Sequence, residues 1–396
     1  MGAAAATRPP RHVARSLIVL ALVAFAIAAR VGVAAFQLNR LSSGPQVTGT
    51  YLPRFTQIAE AEGRPYRDFD VEYPPVSLAA IELVGAADAN ETGVRLLWLS
   101  LIFDAITVAA LAFGWGRLAA VAYLVLTVPL LGFMYNTIDL LSVALATLSL
   151  SFVVNGHDRG GGVTMAAAVF AKVWPLALLP ALVIGRGSRA LWWAGGPLGA
   201  GAIAWLWWGG ASGPVQVATQ RGTPGWEYES TVGSLLWAFS SKPLQHVRDS
   251  TRVGTAPGWA KAVLAVAAVA AVAAVWRRAA RRSSTELGLP AMAAVSILLL
   301  ASPVISHPYV IWLAPWAAIA VCERGVRWAL LPMTLMLVSG LLVVMNSTWP
   351  PDAALWPLKA VLLLRNAFLF AVPVSWFLER EPRAPVIGGQ VSATAG

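Results

Sequence analysis

The chain has 396 residues, 58% of them hydrophobic and only 12% charged, with a mean hydropathy of +0.66. That balance excludes a soluble globular domain, in which about a quarter of residues carry charge, and repeated apolar runs of bilayer length point to a polytopic membrane protein. The net charge of +10 is carried largely by arginines in short loops between apolar segments, so it sets membrane orientation and is no sign of nucleic-acid binding.

The apolar runs are rich in Leu, Ala and Val without strict alternation. Each segment must satisfy its own backbone groups in hydrocarbon, so this pattern favours helices over a barrel. The expected class is an all-α integral membrane protein. A single cysteine, Cys322, lies in an apolar run, which excludes a disulfide framework and a cysteine-based metal site. The 18 tryptophans suit interfacial belts, with a minority free to stack on a sugar or a lipid headgroup.

In chain order, the basic stretch 1–15 carries Arg8, Arg11 and Arg15 ahead of the apolar run 16–29, the layout of a signal anchor. Apolar character continues to Phe36, so the expectation is an uncleaved first helix with a cytoplasmic N-terminus. Residues 37–75 then form the first outer loop, with a short amphipathic surface helix at 53–62. Within that loop, Gly63 to Pro75 gathers Asp68, Asp70 and Glu72 with Arg64, Arg67, Tyr66 and Tyr73. Polar chemistry this dense in so apolar a chain reads as part of a catalytic mouth on the far side of the membrane. The alternative is a solvated loop whose acids cap helices or pair with Arg64 and Arg67.

Further apolar segments follow at 76–87, 95–115, 118–134, 139–154, 162–185, 190–208, 259–276, 287–304, 309–322, 328–345 and 357–378, about twelve with the first when set against the ~20 residues a spanning helix needs. The run 76–87 is short for a span. The run 162–185 is interrupted by Lys172 and Pro175, which predicts a broken helix or a re-entrant hairpin. Arg186 and Arg189, Arg277 to Arg282, Arg324 and Arg327, and Arg380 and Arg383 are separated by pairs of spans, which places them and both termini in the cytoplasm. Residues 209–257, the 306–309 turn and the 346–356 loop then face outward with the first loop. A transmembrane domain over 16–378 and a disordered cytoplasmic tail at 379–396 complete the organisation.

Ionisable residues inside apolar segments come next: Glu82, Asp104, Asp139, Lys172, Lys359 and Arg365. Each costs roughly 2.5–3.5 kcal/mol to insert, so each should face a polar cavity or a partner. Lys172 and Arg365 are candidates for holding a phosphate, because a cation in a low-dielectric site attracts one strongly. An internal pair, such as Lys172 with Asp139, is the competing reading. The outer loops add Trp226, Glu227 and Glu229, and His307 stands at an outer helix junction, where it can donate a hydrogen bond or shuttle a proton. Histidines 12, 157, 246 and 307 show no ligand spacing, and no metal site or cofactor is expected.

Pro-Tyr-Arg-Asp-Phe and Glu-Tyr-Pro-Pro in the first loop, then Ala-Lys-Val-Trp-Pro, Glu-Ser, and Ser-His-Pro-Tyr-Val-Ile-Trp-Leu-Ala-Pro, taken in that order, resemble glycosyltransferase family 87 over roughly residues 16–378. The resemblance implies a GT-C-like bundle of about 10–12 transmembrane helices with a functional first outer loop. It also implies a bacterial plasma-membrane enzyme that moves a sugar, with mannose the leading expectation, from a polyprenyl-phosphate donor to a glycolipid or envelope polysaccharide. Family members carry an acid soon after the first helix. Here residues 37–59 contain none, which leaves Asp68, Asp70 and Glu72 as candidates for the base that takes the acceptor proton. Lys172 and Arg365 would carry the charge growing on the leaving phosphate in a metal-independent inverting transfer. Tyr66, Tyr73, Trp226, Glu229 and His307 would line the sugar and acceptor site. Two other classes explain many helices with buried charges: a secondary transporter or lipid flippase, whose functional residues would sit near the bilayer midplane, and a decayed transferase kept as a membrane scaffold.

Overall fold

The structure is a computed structural model that describes residues 11–43, 51–184, 187–219, 223–247, 250–282, 285–348 and 356–379. Expectations for the first ten residues, for Arg186, for the centre of the 346–356 loop and for the tail from residue 380 lie outside the described residues, as do residues 44–50 of the acid-free stretch. The chain forms a mostly helical, polytopic membrane protein.

Its first helix, α1 (Arg11–Ser43), is followed by the short α2 (Tyr51–Glu60) and α3 (Pro75–Val84), then by α4 (Ala89–Trp115), α5 (Arg117–Leu126) and α6 (Leu131–Met134). The central hairpin is α7 (Asp139–Val154) and α8 (Asp158–Ala171), followed by α9 (Arg189–Gly209) and α10 (Ser212–Thr219). The next region holds β1 (Trp226–Glu227), α11 (Thr231–Phe239), β2 (Leu244–Val247) and β3 (Ser250–Val253). The last part comprises α12 (Gly258–Arg281), α13 (Gly288–Ala301), α14 (Ala314–Arg324), α15 (Leu330–Thr348) and α16 (Trp356–Leu378).

Among the described residues, five helical stretches are long and apolar enough to cross a membrane: Leu17–Ser43, Ala89–Trp115, Gly258–Arg281, Val326–Asn346 and Trp356–Leu378. A sixth crossing is available if Arg117–Leu126 and Val128–Met134, bent by 40° at their junction, act together. The other apolar segments of the sequence form shorter or interrupted pieces. At about 1.5 Å rise per residue, the ten residues of α3 fall well short of a bilayer, as the sequence suggested. The helices α7, α13 and α14 are apolar almost all round because they pack inside the bundle, and a helix buried on every side shows no amphipathic stripe.

The interrupted run is a broken helix. It ends as α8 at Ala171, Lys172 takes an extended conformation (φ −156°, ψ 144°), and a 3-10 segment runs from Trp174 to Leu182. Pro175 lacks an N–H and disfavours the helical conformation in the residue before it, which is why the α-helix cannot continue there. The α8–α9 crossing is tight: a Cβ on Gly162 would meet Ala190 O at 2.4 Å and Ala194 N at 2.6 Å. Small residues that let backbones approach are the usual means of packing helices in lipid.

Two charged networks brace the bundle. Arg30 on α1 donates to Asp104 on α4 at 2.8 Å, to Leu124 O at 2.9 Å and to Thr127 at 2.6 Å, while Tyr123 and Tyr135 donate to Asp104 at 2.9 and 3.0 Å. Asp104 is therefore structural. At the end where α12 and α16 finish, Glu379 pairs with Arg282 at 3.0 Å and with Arg324, and Arg324 also pairs with Glu286. Arg282 covers the Trp376 ring at 4.3 Å. At the opposite end, β1, β3 and β2 make a small antiparallel sheet in that spatial order, with Trp226 opposite Val253 and Glu227 opposite Arg252. Trp226 and Tyr228 pack with Leu342, Met345, Leu358 and Leu362, fixing the sheet region onto α15 and α16.

Candidate active site

One large cavity, about 1070 Å³, lies between the loop before α3, the α8 break, the sheet region and the 3-10 segment His307–Leu313. Its polar end is walled by Arg54, Glu72, Asp139, Lys172, Glu227, Glu229 and His307. Its apolar end runs along Val173, just ahead of the 3-10 segment, Leu176 within it, Val269 and Val272 of α12, and Leu298 of α13. Val173, Leu176 and Val269, which line this end, are 43%, 43% and 68% exposed. The cavity thus opens sideways between the broken helix and α12.

The first-loop acids part company. Asp68 accepts the Arg64 backbone N–H at 2.6 Å and closes a turn that begins at Gly63, whose φ is +101°. Asp70 is exposed, and its carbonyl oxygen accepts from Arg54 at 2.6 Å. Neither lines the cavity. Glu72 does, and both its oxygens receive the Arg54 guanidinium, at 3.3 and 2.9 Å.

Tyr66 is the wedge that sets this loop. It is a non-glycine residue at φ +67°, in a backbone region that side chains seldom occupy, and its hydroxyl donates to Tyr73 O at 2.5 Å. Its ring packs against Trp205 and Trp208 of α9 at 5.8 and 5.9 Å, and its carbonyl accepts from Ser212 and Gln216 of α10. Tyr66 therefore supports the wall without lining it, whereas Tyr73 lines the cavity. Trp226 is likewise buried behind the site.

The helix break presents Lys172. Its ammonium lies 2.6 Å from Asp139 Oδ1, 4.6 Å from the Tyr309 ring centroid and 5.3 Å from that of Trp312. The Trp312 indole N–H donates to the same Asp139 oxygen at 2.7 Å, and Trp312 stacks with both Tyr309 and Trp174. Both sequence readings of Lys172 therefore meet here: it is paired with Asp139, and it faces the cavity.

Glu229 is the most heavily braced acid. Its Oε1 is 3.1 Å from His307 Nδ1 and accepts from Tyr228 at 3.3 Å and from Asn346 at 3.4 Å. Arg365, fully buried on α16, donates to the Glu229 carbonyl and keeps its other terminal nitrogen 3.7 Å from Oε2. Arg365 therefore stands behind Glu229 and outside the cavity wall, and its charge reaches the site through that carboxylate. Burial pushes the Glu229 carboxyl up, but the His307 ring, Arg365 and the Tyr228 hydroxyl outweigh it and leave the acid below the usual carboxylate range. Two residues earlier the balance reverses. Burial raises the Glu227 carboxyl to about 7, against Arg252 at 3.7 Å and a Ser250 hydroxyl at 3.1 Å, and the neighbouring Glu229 charge pushes it the same way as burial.

Asp139 and Glu227 are cavity acids that the sequence reading did not assign to the site. The signal for Asp139 was there, an acid opening an apolar helix and named as a partner for Lys172. Arg54 lay in the predicted surface helix and carried no such signal.

Residues 71–303, more than half of the chain, match the family model described as Glycosyltransferase family 87. No curated protein matches the chain.

Proposed function

The chain belongs to glycosyltransferase family 87, and on that premise we propose that it transfers a sugar, mannose foremost, from a polyprenyl-phosphate donor to a glycolipid or cell-envelope polysaccharide at the outer face of a bacterial plasma membrane, with both termini cytoplasmic. The observation that carries this reading is the cavity itself, which joins a charged, aromatic-walled end to an apolar limb open at the bundle side. A donor with a sugar phosphate head and an isoprenoid tail has the same two-part chemistry.

In this reading the lipid tail lies along Val173, Leu176 and Val269, and the phosphate meets Lys172. An acceptor hydroxyl attacks C1 of the sugar, the bond from C1 to the phosphate oxygen breaks, and the electron pair leaves with the polyprenyl phosphate. Lys172 stabilises the charge that grows on that oxygen. Tyr73 and Tyr309 line the end of the cavity where the sugar ring would lie. Arg365 acts through Glu229. Of the first-loop acids, Glu72 alone stands at the cavity, where it holds Arg54.

The test is transfer of radiolabelled mannose from polyprenyl phosphate in membranes lacking and overexpressing the protein, with Asp68→Asn, Asp70→Asn and Glu72→Gln alongside. Activity that follows protein level supports the reading, with the Asp68 and Asp70 variants expected to retain it. Absence of transfer with mannosyl and arabinosyl donors would move the balance to a transporter or a catalytically silent scaffold.

A further inference from the structure

We propose that the acceptor proton is taken by Nε2 of His307, with Glu229 as the group that positions the ring, and not by a first-loop carboxylate; this rests on the transferase reading above. A base takes a proton less readily when a cation holds its charge, and three acids of the cavity wall are each paired with one. Glu72 holds Arg54 through both oxygens. Asp139 is tied through Oδ1 to Lys172 and Trp312, which assigns it to the donor-phosphate end. Glu227 is tied through Oε2 to Ser250 and Arg252.

His307 differs from all three. Its Nδ1 faces Glu229 Oε1 at 3.1 Å, its ring stands edge-on to Phe133 at 5.3 Å, and its side chain is 22% exposed in the cavity wall. Among the described residues its Nε2 has no partner. Donation from Nδ1–H to a carboxylate fixes the tautomer and leaves the Nε2 lone pair as the acceptor, the usual arrangement of an imidazole base with an orienting acid.

The bracing of Glu229 supports this assignment. Tyr228 and, from α15, Asn346 donate to its carboxylate, Arg365 and Asn366 on α16 donate to its carbonyl oxygen, and His307 lines the cavity beside it. A mere tie between the sheet region and the 3-10 segment would need one hydrogen bond, which Gln or Asn at 307 would also make. A buried acid held through both its carboxylate and its carbonyl oxygen against one imidazole suits a ring whose angle matters. In the step itself, the acceptor O–H bond breaks as the new C1–O bond forms, and the proton goes to Nε2. The bond from C1 to the phosphate oxygen breaks with its electron pair going to the leaving lipid phosphate. The imidazolium then returns its proton to water.

The experiment uses the full chain in detergent or liposomes, with polyprenyl-phosphate mannose as donor and an endogenous membrane extract as acceptor. Wild type, His307→Ala, His307→Gln, Glu229→Gln and Glu72→Gln are compared. The expected result is that His307→Ala and His307→Gln lose about 10²–10⁴-fold in kcat with donor KM unchanged and His307→Gln as thermostable as wild type. Added imidazole should restore transfer to His307→Ala and leave His307→Gln, whose side chain fills the space, inactive. Glu229→Gln should lower kcat without raising donor KM. The dyad is overturned, with the transferase reading intact, if wild type transfers and His307→Gln does so at a similar rate, or if imidazole restores nothing to a folded His307→Ala. A wild-type protein without transfer overturns both.

Discussion

Replacing Lys172 by Met separates the two roles its position gives it. The ammonium is 2.6 Å from Asp139, and the side chains of the pair are only 17% and 4% exposed. Removing one partner of a pair this buried costs about 3–5 kcal/mol, because the remaining charge stays behind without a counterion. The Trp312 N–H that still reaches Asp139 offsets about 1 kcal/mol of this. Adding Asp139→Asn removes the stranded carboxylate. The double variant should therefore recover most of the lost stability, short by about 1 kcal/mol for the contacts of the ammonium with the Tyr309 and Trp312 rings. Transfer should not recover with it. A charged hydrogen bond from lysine to a donor phosphate contributes about 1.5–3 kcal/mol, so kcat/KM for the donor should stay about 10- to 150-fold down in the double variant. Thermal unfolding in detergent and initial transfer rates, measured on the same preparations, give both halves. If the double variant regains transfer along with stability, Lys172 serves only to neutralise Asp139, and the phosphate assignment falls.

Glu227 gives a pH prediction. With its carboxyl raised from 4.5 to about 7 by burial, the folded chain keeps a proton there that the unfolded chain has already lost. Stability should fall as pH rises from 4.5 to about 7 and level off above. Glu227→Gln should flatten this slope and raise stability at pH 8 by up to the order of 3 kcal/mol, read as melting temperature against pH. At the α8–α9 crossing, Gly162→Ala forces a methyl group into the Ala190 and Ala194 backbones and should cost about 1–3 kcal/mol. Gly195→Ala, where a Cβ meets nothing within 4 Å, is the control inside α9 and should hold or slightly raise the melting temperature.

The features legible in the sequence were those set by local chemistry. The break at Lys172 follows from Pro175 just downstream, and the shortness of 76–87 can be counted directly. That Arg365 needed a partner was clear from its depth in an apolar run, but the partner, Glu229, lies 136 positions away and nothing local pairs the two. The first loop was read as part of the catalytic mouth, and it does wall the cavity, yet its acids point in directions set by distant packing. Tyr66, held at positive φ by Trp205 and Trp208, turns the chain so that Asp68 closes a turn and only Glu72 reaches inward. The sheet went unseen because strands of two and four residues are too short to show alternation.

The side opening between the broken helix and α12 bears on how the rate would be measured. A substrate that comes through Val173, Leu176 and Val269 arrives by diffusion in the plane of the bilayer, without first passing through water. Its effective concentration is then a mole fraction in the membrane, and diluting the vesicles with buffer should leave turnover unchanged. Diluting the same donor with inert phospholipid at constant total volume should slow it, and the half-saturation point would carry units of surface density.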